Sequence, residues 1–293
     1  MTTEPTRADG VRTVAVTGAY GLVGSACVRH LESRGFEVRR FAHTRRADQD
    51  VAFSLGDDIN PSVFAGVDAV VHAAYAFGLD EDGIRRINVA GSRKLLHAAH
   101  AAGVTRLVFI SSVSAFAGCR SHYGAGKLQV EETVASLAGI VLRPGLVYGE
   151  RGRGLFGTLA GLTRRLPFLP VFDGGRQPMR LVHVADLAAV IEEAVLITPA
   201  TGPAIIAHPR IVTFRAVLET IAARQQRTIG FVSLPGQAVA GALRAFEWTG
   251  LRLPFGHDNL LGLLHPDPQL SAVSSLAAGC RDFSSVDAES MGV

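Results

Sequence analysis

Tyr123 and Lys127 stand four residues apart in Tyr123-Gly-Ala-Gly-Lys127, a spacing that puts both side chains on one face of a helix. A phenol titrates near pH 10 in solution, but an adjacent ammonium favours the phenolate, each pKa unit being worth about 1.4 kcal/mol. Tyr123 is therefore a candidate proton donor and acceptor, with Lys127 to tune it. Ser111-Ser112 closes the apolar run from Leu107 to Ile110. A hydroxyl from Ser112 at the carboxyl end of a strand can hold a substrate oxygen beside that phenol. The three groups together suit proton transfer to or from a carbonyl or alcohol oxygen.

A second grouping is Val14-Ala-Val-Thr-Gly18-Ala-Tyr20-Gly21-Leu22-Val23-Gly24, where three glycines separate an apolar run from a helical pattern. Glycines there permit a tight turn, let backbone amides approach a pyrophosphate and bring the helix close to the sheet, while the helix N-terminus favours the anion. Its place at the head of a βαβ unit makes this a dinucleotide loop. The end of the second strand selects the cofactor: an acidic residue binds a free ribose 2′-OH, and an arginine accommodates a 2′-phosphate. Here the chain reads Phe41-Ala-His43-Thr44-Arg45-Arg46, with no carboxylate before Asp48. NADP(H) is expected, with NAD(H) the alternative if the basic pair only faces solvent. Asp57, in Leu55-Gly-Asp57-Asp58, either lies beside the adenine amino group or belongs to a plain acidic turn.

The elements that must position these groups are legible as alternating apolar runs and helical patterns. Val11 to Val16 reads as a buried strand, Gly21 to Arg34 as a helix with Val23, Cys27 and Leu31 on one face, and Phe36 to Phe41 as a second strand. Further strands are expected at Ala69 to His72, Leu107 to Ser111 and Ile140 to Leu142, with helices at Ile84 to Ala102 and Ser121 to Leu137. This rhythm predicts an α/β fold, a Rossmann-like doubly wound parallel sheet forming a dinucleotide-binding domain over residues 11–150. After Arg143 the rhythm stops and glycines gather between Gly149 and Gly157. Residues 151–293 are therefore expected to form mainly a smaller, discontinuous C-terminal substrate-binding region, with 181–210 returning to the main sheet. Residues 1–10 read as a flexible tail, and the stretch after Ser274 as loosely ordered.

Seven segments in this order resemble an extended short-chain dehydrogenase/reductase, the group that includes the NAD-dependent epimerase/dehydratase proteins. They are Thr17-Gly-Ala-Tyr-Gly-Leu-Val-Gly24, Val67-Asp-Ala-Val-Val-His-Ala-Ala74, Asn88-Val-Ala-Gly-Ser92, Ser111-Ser112, Tyr123 to Lys127, Arg143-Pro-Gly-Leu-Val-Tyr-Gly149 and Val182-His-Val-Ala-Asp186. The resemblance implies Tyr123 as the acid/base, Lys127 as the ligand of the nicotinamide ribose and tuner of Tyr123, Ser112 as the positioner of the substrate oxygen, and Asn88 as their support. It also implies cofactor contacts from Gly18, Tyr20, Gly21, Leu22, Val23 and Gly24, from His43, Thr44, Arg45 and Asp57, and from Ala73, Ala74, Lys127, Pro144 and Gly145.

Departures from the family pattern bear on the substrate. Ala115-Phe-Ala-Gly118 stands where the family commonly has valine-tyrosine-glycine, which changes the substrate-side wall. Nucleotide-sugar members commonly carry an arginine four residues before the histidine of His-Val-x-Asp; Met179 stands there, with Arg180 one step later. A diphosphate clamp is thereby weakened, unless Arg180, Arg151 or Arg153 supplies the charge. His183 and Asp186 read as a helix start, and no metal is expected. Apolar stretches at Phe246-Glu-Trp248, Leu251 to Phe255 and Leu260 to Leu264 suit either a pocket for a hydrophobic ligand or core and dimer seam. The reading that follows is an NAD(P)-dependent oxidoreductase for a hydrophobic ketone, aldehyde or secondary alcohol. A nucleotide-sugar epimerase/dehydratase is the first alternative, because the same groups begin such reactions by transient oxidation. A non-catalytic dinucleotide-binding sensor or assembly subunit is the second, and such a protein needs no serine, tyrosine and lysine.

Composition narrows the partners. The 293 residues are 48% hydrophobic and 19% charged, which excludes wholesale disorder, and 29 Lys and Arg against 26 Asp and Glu leave a formal charge of +3. So slight an excess does not argue for nucleic acid. Met1 to Gly10 lacks the order of a signal peptide and no run reaches about 18 apolar residues, so no membrane insertion is expected. Cys27, Cys119 and Cys280 lie far apart without a CxxC pair, which fits a reducing cytoplasm. A homodimer is compatible with the apolar C-terminal stretches.

Overall fold

The computed structural model describes residues 10–150, 153–196, 202–247, 256–268 and 281–282. Residues 1–9, Arg151, the Phe246 side chain, Trp248, Leu251 to Phe255, Cys280 and most of the stretch after Ser274 lie outside the described parts.

The first half of the chain lays down β1 (Thr13–Thr17), α1 (Leu22–Ser33), β2 (Glu37–Ala42), β3 (Val51–Ala52) and β4 (Ala69–His72). Next come α2 (Glu81–Gly83), a π-helical segment (Ile84–Val89) and α3 (Ala90–Ala101) in one continuous run, then β5 (Arg106–Ile110), α4 (His122–Ser136) and β6 (Ile140–Pro144). All five residues of β1 and all four of β4 are buried, as continuous apolar strands covered on both faces must be. Side-chain alternation divides β1 between two cores. Val14 and Val16 pack with Cys27 and Leu31 of α1, and Ala15 packs with Leu95, Leu96 and Val134 of α3 and α4 on the other side.

The second half supplies β7 (Leu146–Tyr148), α5 (Gly154–Arg165), β8 (Phe168–Phe172), β9 (Pro178–Met179), β10 (Leu181–His183), α6 (Val184–Leu196) and β11 (Ala204–Ile206). It ends with β12 (Val212–Thr213), α7 (Phe214–Arg224), β13 (Gly230–Leu234), α8 (Gly236–Glu247) and α9 (His257–Leu264). The main sheet runs β11-β6-β5-β4-β1-β2-β3 with every pair parallel, so strand order reverses between β1 and β4. Ligand crevices of doubly wound sheets open at that point, beyond the carboxyl ends of the strands.

Leu181 to His183, expected in the main sheet, pairs with β7 instead, Val182 opposite Val147. The strand that joins the sheet edge is β11, with Ile206 opposite Pro144, while Leu187, Ile191 and Val195 of α6 pack into the core shared with α1. A further core gathers Phe156, Leu159, Val171, Phe172, Phe214, Val217, Leu218, Ile221 and Leu260. Leu260 thus belongs to a core, whereas Leu261 and Leu263 face the cleft described next.

Candidate active site

A cleft of about 1410 Å³ opens at the reversal point, walled by the glycine loop, the ends of β4, β5 and β6, the start of α4, and α9. Gly18 has φ +64°, and a Cβ there would lie 2.9 Å from the Ala74 Cα. At Gly24 a Cβ would meet the Gly18 carbonyl oxygen at 2.1 Å, so α1 seats on the loop only through glycine. Gly21 caps α1 without a side-chain hydrogen bond, which leaves the first turn open to an anion. The cleft lining includes Gly18, Gly21, Leu22, Val23, Gly24, Ala73, Ala74, Lys127, Pro144 and Gly145 of the expected cofactor residues. These features fit a dinucleotide. Arg153 adds a cation there: it donates to the Tyr20 carbonyl, to Ser25 Oγ at 3.0 Å and to Glu150 at 2.8 Å.

The remaining expected contacts lie outside the lining. Tyr20 donates to Asp50 Oδ2 at 2.7 Å, and the Arg46 guanidinium covers its ring at 4.6 Å. The same Asp50 oxygen accepts the amides of Arg46 and Ala47 at 2.8 and 3.0 Å, so this carboxylate organises the loop after β2. Arg45 turns back onto the Asp48 carbonyl, His43 meets Ser54 at 2.8 Å, and Thr44 and Asp57 are exposed.

On the opposite wall, the Tyr123 phenol hydrogen-bonds to Ser112. Burial pushes that phenol up, and the Ser112 bond works against the rise. Lys127 is 5% exposed, and its ammonium donates to the Ile110 carbonyl at 2.8 Å. Burial lowers it to about 7, with Glu131 opposing. The ammonium sits 4.9 Å over the Tyr75 ring and 4.7 Å over Phe109, so Lys127 faces these rings, and the Ser112 hydroxyl is what eases Tyr123 ionisation.

α4 starts where three donors are met: Ser121 Oγ accepts the Gly124 amide at 3.1 Å, and Asp258 of α9 accepts the amides of His122 at 2.6 Å and Tyr123 at 3.1 Å. Asn88 lies in the π-helical segment, a form frequent at functional sites, and clamps Ala76 from both sides. Its Oδ1 accepts the Ala76 amide at 2.8 Å and its Nδ2 donates to the Ala76 carbonyl at 2.9 Å. Beneath Lys127, buried His72 links Thr17 at 2.7 Å to Ser92 at 2.8 Å; burial and then Lys127 lower it to about 3, so it is neutral. Glu131 takes a bidentate pair from Arg143 at 2.9 and 2.6 Å and a bond from Ser111.

Three of these residues escaped the sequence reading. Glu131 continues the Tyr123 and Lys127 face by one more turn, a spacing that signals it. Tyr75 follows the His72-Ala-Ala segment, whose strand end signals a ligand-facing loop. Asp258 carries no such sign. Apolar residues of the cleft lining include Phe77, which is 78% exposed, and Phe116, Leu155, Leu159, Met179 and Leu261. Arg180, 4% exposed, also lines the cleft. Asp186 lies in the first turn of α6 and pairs with Arg281 at 3.2 Å. Among the described residues no three His, Cys, Asp or Glu side chains gather to hold a metal, and no helix is long and apolar enough to cross a membrane.

Comparison with known proteins places this geometry. Over 199 residues the chain is 33% identical to a ceramide reductase of Caulobacter vibrioides, covering 63% of this chain and 60% of that protein. It is 27% identical over 214 residues to a UDP-glucose 4-epimerase of Vibrio cholerae, covering 60% of this chain and 65% of that protein. A solved short-chain dehydrogenase/reductase superfamily protein of Agrobacterium tumefaciens with bound NAD shares the fold, with a TM-score of 0.64 and 24% identity over 85% of this chain and 95% of that one. The sheet order, the glycine loop and the Ser112, Tyr123 and Lys127 wall agree with the match of residues 14–196, more than half of the chain, to the NAD dependent epimerase/dehydratase family, and the chain belongs to that family.

Proposed function

We propose that the protein is an NADP(H)-preferring oxidoreductase for a hydrophobic ketone or aldehyde, or the corresponding alcohol. The observation that carries the reading is the Tyr123 and Ser112 hydroxyl pair, set between a glycine loop fit for a dinucleotide and a predominantly apolar wall. Bound in the cleft, the nicotinamide supplies or accepts the hydride. Ser112 donates a hydrogen bond to the substrate oxygen and so fixes it beside Tyr123. Tyr123 donates its phenolic proton to that oxygen as the carbonyl becomes an alcohol, and is reprotonated from solvent. A phenol held above its usual value is protonated at neutral pH, which suits the reductive direction. Lys127, in the cleft lining between Tyr75 and Phe109, is the residue that would meet the nicotinamide ribose, and Asn88 holds the loop that carries Tyr75 and Ala76. Arg46, stacked on Tyr20 beside the glycine loop, supports the preference for a 2′-phosphate. Free Cys27 and Cys119 are in keeping with a reducing, cytoplasmic setting.

Tyr123→Phe should abolish carbonyl reduction while NADPH still binds, as followed by cofactor fluorescence and product analysis. Turnover near wild type would remove Tyr123 from the chemistry. Tighter binding of NADH than NADPH at equal salt would overturn the cofactor assignment. The epimerase reading is favoured by Arg180 in the cleft wall, and specific micromolar binding of free nucleoside diphosphates outside the cofactor site would establish it over ours.

A further inference from the structure

α5 begins at the cleft, which Leu155 and Leu159 line, and its other end reaches the surface with Leu162 and Leu166 both exposed. These two stand one above the other, the Leu166 amide donating to the Leu162 carbonyl at 3.0 Å. β8 follows at once and pairs only with β13 among the described residues, Phe168 opposite Gly230 and Pro170 opposite Val232. Side chains alternate across this two-stranded sheet. Leu169 and Val171 enter the core with Phe156 and Leu218, while Phe168, Pro170 and Val232 are exposed on the outer face. Phe168 is 63% exposed and Val232 49%. The Phe168 ring is seated over Gly230, where a Cβ would come within 2.4 Å of it, so the ring is held in the open by its own sheet. An exposed apolar face of this kind marks an interaction surface.

The rim of this face is cationic. Arg164 and Arg165 close α5, Arg224 closes α7, and the Arg227 guanidinium donates to the Arg164 carbonyl. Gln225 joins the two helix ends through Thr163 at 3.0 Å and the Ala160 carbonyl at 2.9 Å, and the Gly230 amide ties β13 to the Pro167 carbonyl at 2.8 Å. All four arginines are exposed, and neither stretch that builds the face, 161–172 or 220–235 without Asp173 and Glu219 beside them, contains a carboxylate side chain. For a chain whose formal charge is only +3, this is a local concentration of one sign. We propose that the face docks peripherally on an anionic lipid bilayer. Leu166, Phe168 and Val232 enter the boundary between headgroups and acyl chains, and the arginines meet lipid phosphates. A second copy of the chain would bring the same arginines against one another, and Pro170 removes a donor from β8, which opposes pairing with another strand. A bilayer supplies both the apolar layer and the negative charge. The contact lies on the membrane without spanning it, and it is independent of the reductase reading because it uses no residue of the cleft.

The test is co-sedimentation of the full chain with vesicles of phosphatidylcholine alone or of phosphatidylcholine with about 30% phosphatidylglycerol, at several salt concentrations. Binding to the mixed vesicles should be at least about tenfold tighter than to the neutral ones and should weaken as salt rises. Arg164→Gln combined with Arg165→Gln should weaken it about twentyfold, each arginine near an anionic surface being worth a factor of about five. Phe168→Ser should weaken it about tenfold through lost apolar contact. Arg29→Gln combined with Arg34→Gln removes the same charge from exposed positions on α1 and should weaken it far less. Tm is read for every variant, and if Phe168→Ser melts early, Val232→Ser and the Arg164 and Arg165 pair decide the matter. No binding to the mixed vesicles overturns the proposal and turns the face toward an acidic protein. Equal binding to both vesicles, or an equal loss in the α1 variant, overturns it as well, since the arginine rim then has no special part. So does a dimer in sedimentation velocity that Phe168→Ser dissociates, which would give the face to a second copy.

Discussion

Lys127 gives the most quantitative handle on the site. Its ammonium is buried under Tyr75 and over Phe109 with one carbonyl partner, and burial brings it down from 10.5 to about 7. In the unfolded chain the same amine keeps its proton until far higher pH. Between these values the folded protein binds fewer protons than the unfolded chain, so stability must rise with pH. The slope approaches about 1.4 kcal/mol per pH unit where Lys127 is neutral when folded and charged when unfolded. Lys127→Met keeps an unbranched apolar stem and removes the titration. From about pH 7.5 to 9.5, cofactor-free wild type should therefore gain roughly 2–3 kcal/mol relative to Lys127→Met, other groups cancelling in the difference. Urea unfolding of both proteins at several pH values measures this directly. The variant should also be the more stable of the two at neutral pH, although inactive. Parallel stability curves would refute the reasoning: the ammonium would then be solvated or fully paired, and its position under Tyr75 would be wrong.

Gly24→Ala should weaken NADPH binding at least about tenfold and lower stability by about 1–3 kcal/mol, because its Cβ would sit 2.1 Å from the Gly18 carbonyl oxygen. Cofactor fluorescence and Tm check both. Glu131→Ala should cost about 3–5 kcal/mol in urea unfolding, since it strands the part-buried Arg143 guanidinium and the Ser111 hydroxyl. Asp258→Ala should lose about 1 kcal/mol of stability as two first-turn amides of α4 lose their acceptor, and kcat should drop as Tyr123 is held less firmly. Asp258→Asn, which retains an acceptor oxygen, should recover part of kcat; an unaltered kcat in both variants would show that α9 does not steady the phenol.

What the sequence disclosed was local, and what it withheld was long-range. β1 and α1 were legible because an apolar run, a glycine loop and a one-faced helix are each written within about a dozen residues. The Tyr123 and Lys127 pair was legible for the same reason. Leu181 to His183 was misplaced because a short apolar run has the same appearance whichever strand it joins, and β7 wins through the close approach of Gly145 to Arg180, whose carbonyl accepts the Leu146 amide at 2.8 Å. β11 has only three residues, too few to show a period. The π-helical segment around Asn88 hid inside an ordinary helical pattern, because one widened turn hardly disturbs the spacing. Asp258 could not be found at all: it reaches the Tyr123 amide across 135 positions, and no spacing rule spans that distance.

The placement of α6 and β11 has a consequence for how the protein is made. α1, which carries the open anion-facing turn, has its outer side buried against α6, and β6 is covered along its edge by β11. During synthesis the glycine loop, β1 and β2 emerge first, yet the helix they feed stays half uncovered until some 150 further residues have been added. Contacts of such separation form late, after the entropy of closing the long intervening loop has been overcome. A fragment ending at residue 150 therefore carries the whole dinucleotide motif but exposes an apolar helix flank and a bare strand edge, and is a candidate for aggregation before it is a binding module. The sheet edge and the core beside α1 are in this way complete only once the chain has passed through β7 to β10 and come back to the sheet.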